Sequence, residues 1–546
     1  MIMKKLKTSS GSPFRGGFIP RRFHKIDSLF LGASFLMLSA LASCSSDEVV
    51  PGNGDDKKTG EQEYYISLSI SVPDGETTRA EKVTDSDEQE GTSLESKIEK
   101  VDLYFCVDDK VVCALKQGDT DRSINVSDHS YSSSEQYNKV VKIKTDVNEL
   151  TSLAGKKAKV ILIANKSLIN GSPTYDKNYS YSAILDLKYK ANSLTTNPMG
   201  NWNQSTEATE LGKLMPLVNS AEFELDLTDI NSSNAEEILS QLRRKFTVDK
   251  DNPGEMVYPI PNVLSLERSV ARLDFSDISR DGKATPLNTA YSYKIGASDI
   301  YLTLDKMTVF NVNKLAYLFR HTSPDGTSNV SPLINNNWRV GADCSGVNKN
   351  NSSTTIIDEY LFLNPLTIES STGKVLGVYS DGGIIKVTDI DKRTAQEGYY
   401  PWMYINENII PTAALMSQDN LPKYATGVAF TFKVMDKAGN AVLPRTASSE
   451  EVLPNNIKRT NGGIRLIVPD GKWQDVEWSN SDNAYTLTYY GFIKHSQEAA
   501  NQYAIVRNHI YRMKVESVNS LPDGQESMTL QVRVKPWEYE AYETEW

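Results

Sequence analysis

Alternation of apolar and polar positions is the strongest signal along this chain. In Tyr65-Ile-Ser-Leu-Ser-Ile-Ser-Val72, the residues Ile66, Leu68, Ile70 and Val72 alternate with Ser67, Ser69 and Ser71, the period-two pattern of a strand with one buried face. The pattern stops at Pro73, and the chain to Ser93 is acidic and polar, with Arg79-Ala80 in its middle. Strand patterns resume after Leu94, over 101–107, 111–115, 140–147, the wholly apolar 160–164, 223–227 and 270–275. In the second half they fall at 301–309, 376–379, 403–405, 428–434, 485–492, 509–518 and 528–534. One helix is predicted: Asn234 stands where a cap belongs, and Ile238, Leu239, Leu242 and Phe246 fall on one helical face. Many strands and one helix predict an all-β fold with minor α content. The roughly 460 residues expected to be ordered exceed what one core usually covers, so two sandwich-like domains in tandem are expected. Their boundary is placed near 280, where Ser-Asp-Ile-Ser-Arg-Asp-Gly-Lys283 breaks the pattern.

The N-terminus follows a different pattern. Lys4, Lys5, Lys7, Arg15, Arg21, Arg22 and Lys25 precede an apolar run at 29–38, which leads into Leu41-Ala-Ser-Cys44. A basic stretch, a short apolar run and small residues before a cysteine form a signal peptide over 1–43, and the run is too short to span a bilayer. Leu-Ala-Ser-Cys has the form of a lipobox, so Cys44 is expected to become the acylated first residue of a lipoprotein. Two or more acyl chains make such anchoring stable. The polar stretch 45–62 contains almost nothing to bury and reads as a tether.

Charge and composition narrow the function classes. The formal charge is −11, and residues 1–43 carry seven basic residues and one acidic one, so the chain from Cys44 onward is near −17. That argues against a nucleic-acid partner. Five histidines and four cysteines leave little for metal or thiol chemistry. Cys106 and Cys113 bracket a hairpin; with Asp109-Lys110 as its loop they would face each other, as a disulfide or as two buried free thiols. Cys344 has no obvious partner. Asp277, Ser279 and Asp281 before Gly282 form a partial calcium-loop pattern, but Asn288 stands at the twelfth position in place of glutamate, so a solvated turn is expected. Gly-x-Ser-x-Gly, His-Glu-x-x-His, Cys-x-x-Cys and phosphate-binding glycine loops are absent. Neither enzymatic activity nor a cofactor or metal is expected.

Several motifs together carry a resemblance. Tyr503-Ala-Ile-Val-Arg-Asn-His-Ile-Tyr511, the following Arg-Met-Lys-Val-Glu-Ser-Val518 and Leu530-Gln-Val-Arg-Val-Lys-Pro-Trp537 resemble the end of type V pilins, the fimbrillins. Val160-Ile-Leu-Ile-Ala-Asn165, Leu266-Glu-Arg-Ser-Val-Ala-Arg272 and Tyr404-Ile-Asn-Glu-Asn408 are similar to that family's internal motifs, in the same order. The resemblance runs from Cys44 to Trp546.

It implies two transthyretin-like β-sandwich domains, over 80–280 and 281–536, and a lipoprotein precursor at the cell outer membrane that becomes part of an extracellular fimbrium supporting cell adhesion. It implies an arginine-specific surface protease that cuts at Arg79-Ala80, releasing 44–79 as a propeptide with the strand of Ile66, Leu68, Ile70 and Val72. A strand from another fimbrial subunit then fills the vacated groove by donor-strand exchange. The expected donor is residues 537–546, where Trp537, Tyr539 and Ala541 alternate with Glu538 and Glu540. Tyr542 and Trp546 have the opposite parity, which requires a bulge or a partner-specific register. Alternatively, this tail is the last strand of its own domain. A donor tail favours a shaft subunit over a tip or accessory one; a surface carbohydrate-binding lipoprotein is the remaining alternative and would keep its first strand.

Overall fold

The computed structural model describes residues 62–72, 95–116, 122–128, 139–165, 180–190, 215–276, 291–321, 349–351, 354–356, 362–369, 371–372, 374–379, 382–390, 398–409, 421–444, 456–495, 502–522 and 527–536. All of them belong to one compact unit, Glu61–Trp546. Cys44, Arg79-Ala80, the turn at 277–288, Cys344 and the tail 537–546 lie outside the described residues.

The fold is all-β. Strands β1 (Glu63–Ser71), β2 (Val101–Val107), β3 (Lys110–Lys116), β4 (Ile124–Asp128), β5 (Lys139–Lys144), β6 (Lys157–Ala164), β7 (Leu217–Asn219) and β8 (Glu255–Arg268) hydrogen-bond in the order β3-β2-β6-β7-β8-β1-β5-β4. Strand β8 links two layers: most of it pairs with β1, whereas Leu266, Glu267 and Arg268 pair with β7. Ile66, Leu68, Ile70 and Val72 share one apolar core with Leu103, Phe105, Val160 and Leu162, so the strand path folds over on itself as a sandwich with β8 passing between layers. Helix α1 (Ala235–Arg243) is capped by Asn234, whose side chain accepts the Glu236 N–H at 2.9 Å. Leu242 of α1, and Phe246 just beyond it, are buried in the same core.

A second pair of layers follows. Strands β9 (Val270–Ser276), β10 (Tyr301–Phe310), β11 (Tyr400–Asn406), β12 (Gly427–Met435), β13 (Ala484–Phe492), β14 (His509–Val518) and β15 (Met528–Pro536) divide between two sheets. One has the order β11-β9-β14-β15; the other contains β10, β12 and β13 side by side. Leu273, Phe275 and Trp402 from the first meet Phe430, Phe432 and Tyr489 from the second in a shared core. The chain passes between the two sandwiches across one residue, Ser269.

Three local expectations differ from the structure. The strand expected over 140–147 stops at Lys144, because Asp146 and Glu149 form a reciprocal capping box that starts a 3-10 helix, Val147–Leu153. The β2–β3 loop is Asp108-Asp109, both at positive φ (48° and 62°), rather than Asp109-Lys110. A register shift between Phe105 and Cys106 then puts Cys113 opposite Phe105. Cys106 and Cys113 are therefore unbridged, buried thiols that belong to different apolar clusters, and the disulfide alternative falls. Strand β8 was not expected at all. Pro259 and Pro261 argue against a strand in sequence, yet both are exposed while Tyr258, Ile260, Leu264 and Leu266 point inward.

Candidate functional site

Strand β1 is an interior strand. It runs parallel to β8, from Glu63↔Glu255 to Ser71↔Ser265, and antiparallel to β5, from Tyr65↔Lys144 to Ile70↔Lys139. Its inner face consists of Ile66, Leu68, Ile70 and Val72, each 0–1% exposed, with Tyr64 packed at one end against Phe246 (ring centroids 5.2 Å apart). Its outer face carries Ser67, Ser69 and Ser71, all half-buried. The pairing with β8 is irregular at one point: Ser67 opposes Pro259 and Ser69 opposes Val263, so Ile260, Pro261 and Asn262 stand against Leu68 alone. Asn262 takes a positive φ of 75° there.

Charged groups cross the outer face. Lys142, opposite Ser67, bonds Asp249 and lies 3.4 Å from Glu255 on the far side of β1. Lys144, opposite Tyr65, bonds Glu63 at 2.7 Å. Tyr65 Oη also donates to Glu63 at 2.8 Å. The hydrogen bonds from Lys144 and Tyr65 hold the Glu63 carboxyl below its ordinary value. Burial pushes Asp249 up, but the Lys142 ammonium and the Asp251 and Asn252 N–H groups outweigh it and hold this carboxyl low.

Removing β1 would therefore uncover two backbone edges, on β8 and β5, and a trough lined by the core. Four inward side chains at roughly 1.5–3 kcal/mol each give roughly 6–12 kcal/mol of burial to be replaced.

The sequence motifs converge elsewhere, at the junction between the sandwiches. Arg272 on β9 is fully buried and forks onto Asp274 (2.8 and 2.9 Å) and Glu95 (3.0 and 3.1 Å), and Glu95 also accepts from the Tyr404 hydroxyl. Arg320 pairs with Glu267. Arg507 bonds Glu407 at 3.2 Å and donates to the carbonyls of Leu318 (2.7 Å) and Tyr317 (2.5 Å). Asn165 spans Glu99 N–H, Lys97 O and Met215 O. Burial raises Asp274 and Glu267 despite their arginine partners. Fixed, enclosed ion pairs suit a structural joint.

Strand β15 ends the order β11-β9-β14-β15, with Pro536 opposite His509. Leu530, Val532 and Val534 pack on the second core from this edge. Sequence reasoning located the inner face of β1 but missed β8 and the lysines across its outer face; the only trace of the latter is Lys139-Val-Val-Lys-Ile-Lys144, a strand with polar positions all of one charge.

No protein-family model matches the sequence, nor does any curated protein sequence. Solved structures similar to the chain include a candidate cell adhesion protein from Parabacteroides distasonis (10% identity, 87% of this chain and 100% of that one, TM-score 0.39). A fimbrilin from Porphyromonas gingivalis matches at 12% identity over 87% of this chain and 98% of that one (TM-score 0.31). The tip fimbrial protein Mfa3 of the same organism, with a C-terminal truncation, matches at 10% identity over 87% and 100% (TM-score 0.31).

Proposed function

We propose that the chain is a structural, shaft-type subunit of a type V fimbria, assembled by protease-triggered donor-strand exchange and serving adhesion. The precursor is lipidated at Cys44 and held at the outer membrane. An arginine-specific protease cuts at Arg79-Ala80, β1 leaves with the propeptide, and residues 537–546 of another subunit occupy its place. Two tandem sandwich domains follow the cut; strand pairing favours a division at Ser269, since β9 pairs with β11 and β14, over one near 280.

The observation that carries this reading is the position of β1. It is the first strand among the described residues, it is bonded on both sides, and the chain leaves it directly into the acidic segment that contains Arg79. A strand at a sheet edge could be lost without leaving a two-sided slot; β1 cannot. The experiment is limited digestion of the purified precursor with an arginine-specific protease, an N-terminal read and a polymer ladder. A new N-terminus at Ala80 with ladder growth supports the reading. Normal ladders from Arg79→Ala, or polymers from cells that still begin at Cys44, refute it.

A further inference from the structure

The inner face of β1 offers five sites, at Tyr64, Ile66, Leu68, Ile70 and Val72, separated by four outer positions, Tyr65, Ser67, Ser69 and Ser71. The tail Trp537-Glu-Tyr-Glu-Ala-Tyr-Glu-Thr-Glu-Trp546 has ten residues, and its parity changes once, between Ala541 and Tyr542. A single bulge there, with Ala541 and Tyr542 sharing one site, puts Trp537, Tyr539, Ala541/Tyr542, Thr544 and Trp546 on one face and all four glutamates on the other. The tail then spans five inner and four outer positions, as β1 does. Its bulge falls at the site of Leu68, where three residues of β8 already oppose one. The coincidence holds for either direction of insertion, because the pattern is symmetric about its centre. Aromatic residues stand at both ends of the tail, and Tyr64 against Phe246 marks an aromatic end of the slot.

Outer positions opposite Lys144 and Lys142 are held by Tyr65 and Ser67 in the resident strand. We propose that the occupant of the vacated slot is the tail of a second copy of this chain in this register, with a glutamate directly across from Lys144 in the place from which Glu63 has departed. Resting on the donor-strand reading above, this gives exchange a direction: the resident strand sets Tyr65 across from Lys144 and Ser67 across from Lys142, with Glu63 alone reaching Lys144 from the strand end, whereas the incoming strand sets a carboxylate across from each lysine. Directly opposed cross-strand pairs hold Cβ atoms about 5 Å apart, within reach of a Lys–Glu bond. Lys142 is shared with Asp249 and Glu255, so the pairing at Lys144 carries the test. Insertion in the direction of β1 brings Glu538 there; the reverse brings Glu545.

The test compares ladder growth of the full chain after arginine-specific cleavage. Lys144→Glu should slow it roughly three- to tenfold at low ionic strength, with a smaller gap at about 0.5 M salt. Combining Lys144→Glu with either Glu538→Lys or Glu545→Lys should restore it, and which one does so reports the direction. Melting of uncut Lys144→Glu controls for folding, and Glu538→Lys and Glu545→Lys on the unaltered slot probe the pairing without touching the slot at all. Unchanged growth in Lys144→Glu, or rescue by neither partner, overturns the register. Deletion of 537–546 separates the levels: if it abolishes ladders while Lys144→Glu is neutral, only the pairing fails, and if ladders persist without the tail, the donor-strand reading fails as well.

Discussion

Replacing Leu68 by alanine should weaken the precursor and leave the fibre untouched. Leu68 is 1% exposed and sits at the centre of β1, opposite Val141, in the core shared with Leu103 and Leu162. Truncating such a leucine removes its transfer energy and leaves a cavity, together roughly 2–5 kcal/mol. For a domain of about 200 residues, each kcal/mol moves the melting temperature by about 2–4 °C, so the precursor should melt roughly 4–20 °C lower. If exchange removes β1, the thermal or detergent resistance of isolated polymers should equal that of the unaltered chain. Leu103→Ala is the control: it lines the same core from β2, stays in the subunit, and should weaken both forms. Melting by circular dichroism for the precursor and heat-graded gel ladders for the polymer provide the two readings. Polymers weakened by Leu68→Ala as much as the precursor would mean that β1 persists in the fibre, and the exchange reasoning would be refuted.

Cys44→Ala should abolish incorporation of labelled fatty acid and leave the precursor unprocessed; undiminished label would exclude Cys44 as the acylated residue. Arg272→Met should destabilise the fold by roughly 3–5 kcal/mol in a denaturant titration, because Glu95 would stay buried without its arginine and Asp274 would keep only Arg512, at 3.9 Å; a loss under 1 kcal/mol would contradict the buried pairing. Asp249 and Glu63 both have lowered pKa values in the folded state, so the stability their ion pairs lend β1 is present above the ordinary carboxylate range and is lost as the pH falls below about 4. Urea titrations of the precursor between about pH 3 and 6 check this, and a flat profile across that window would count against the lysine bonds over β1.

Where side chains alternate, the sequence was a good guide to this fold. β1, β2, β9, β10, β12, β13, β14 and β15 fall within a few residues of their expected positions, because a period of two survives in the residue types; β6 was legible instead as a wholly apolar run, since Val160 and Leu162 enter one core and Ile161 and Ile163 another. Helix α1 was legible for the corresponding reason at a period of 3.6. Strand β8 was hidden because its prolines are tolerated only by a local exception: both face solvent beside an irregularity that no alternation rule anticipates. The cysteine pair failed through register, since moving a two-residue loop by one position and adding one bulge sends side chains to opposite faces. Beyond the β2–β3 hairpin, strand neighbours were not legible. Nothing in the residues of β1 says that it lies between β5 and β8, because pairing is decided by partners about seventy or more residues away.

The motifs that carried the sequence resemblance point to a joint between the two sandwiches, and the reason is physical. The chain crosses from β8 to β9 in one residue, so the two sandwiches meet with little freedom between them. Arg268, Arg272, Arg320 and Arg507 are each at most 1% exposed. Apolar replacements could fill the same volume, and a buried ion pair is weak evidence for stability. What an apolar joint could not supply is direction. Arg507 grips two successive carbonyls, of Tyr317 and Leu318, while holding Glu407, and the Arg268 N–H and guanidinium reach Asn508 and the Glu95 carbonyl. Each bond is made at one relative placement of the two sheets, and a slide of a few ångströms would leave several buried charges without partners. Such a joint selects one orientation against all others. If the donor-strand reading holds, so that a strand enters the first sandwich of one subunit from the second sandwich of another, that selection would fix the angle between successive subunits along a fibre.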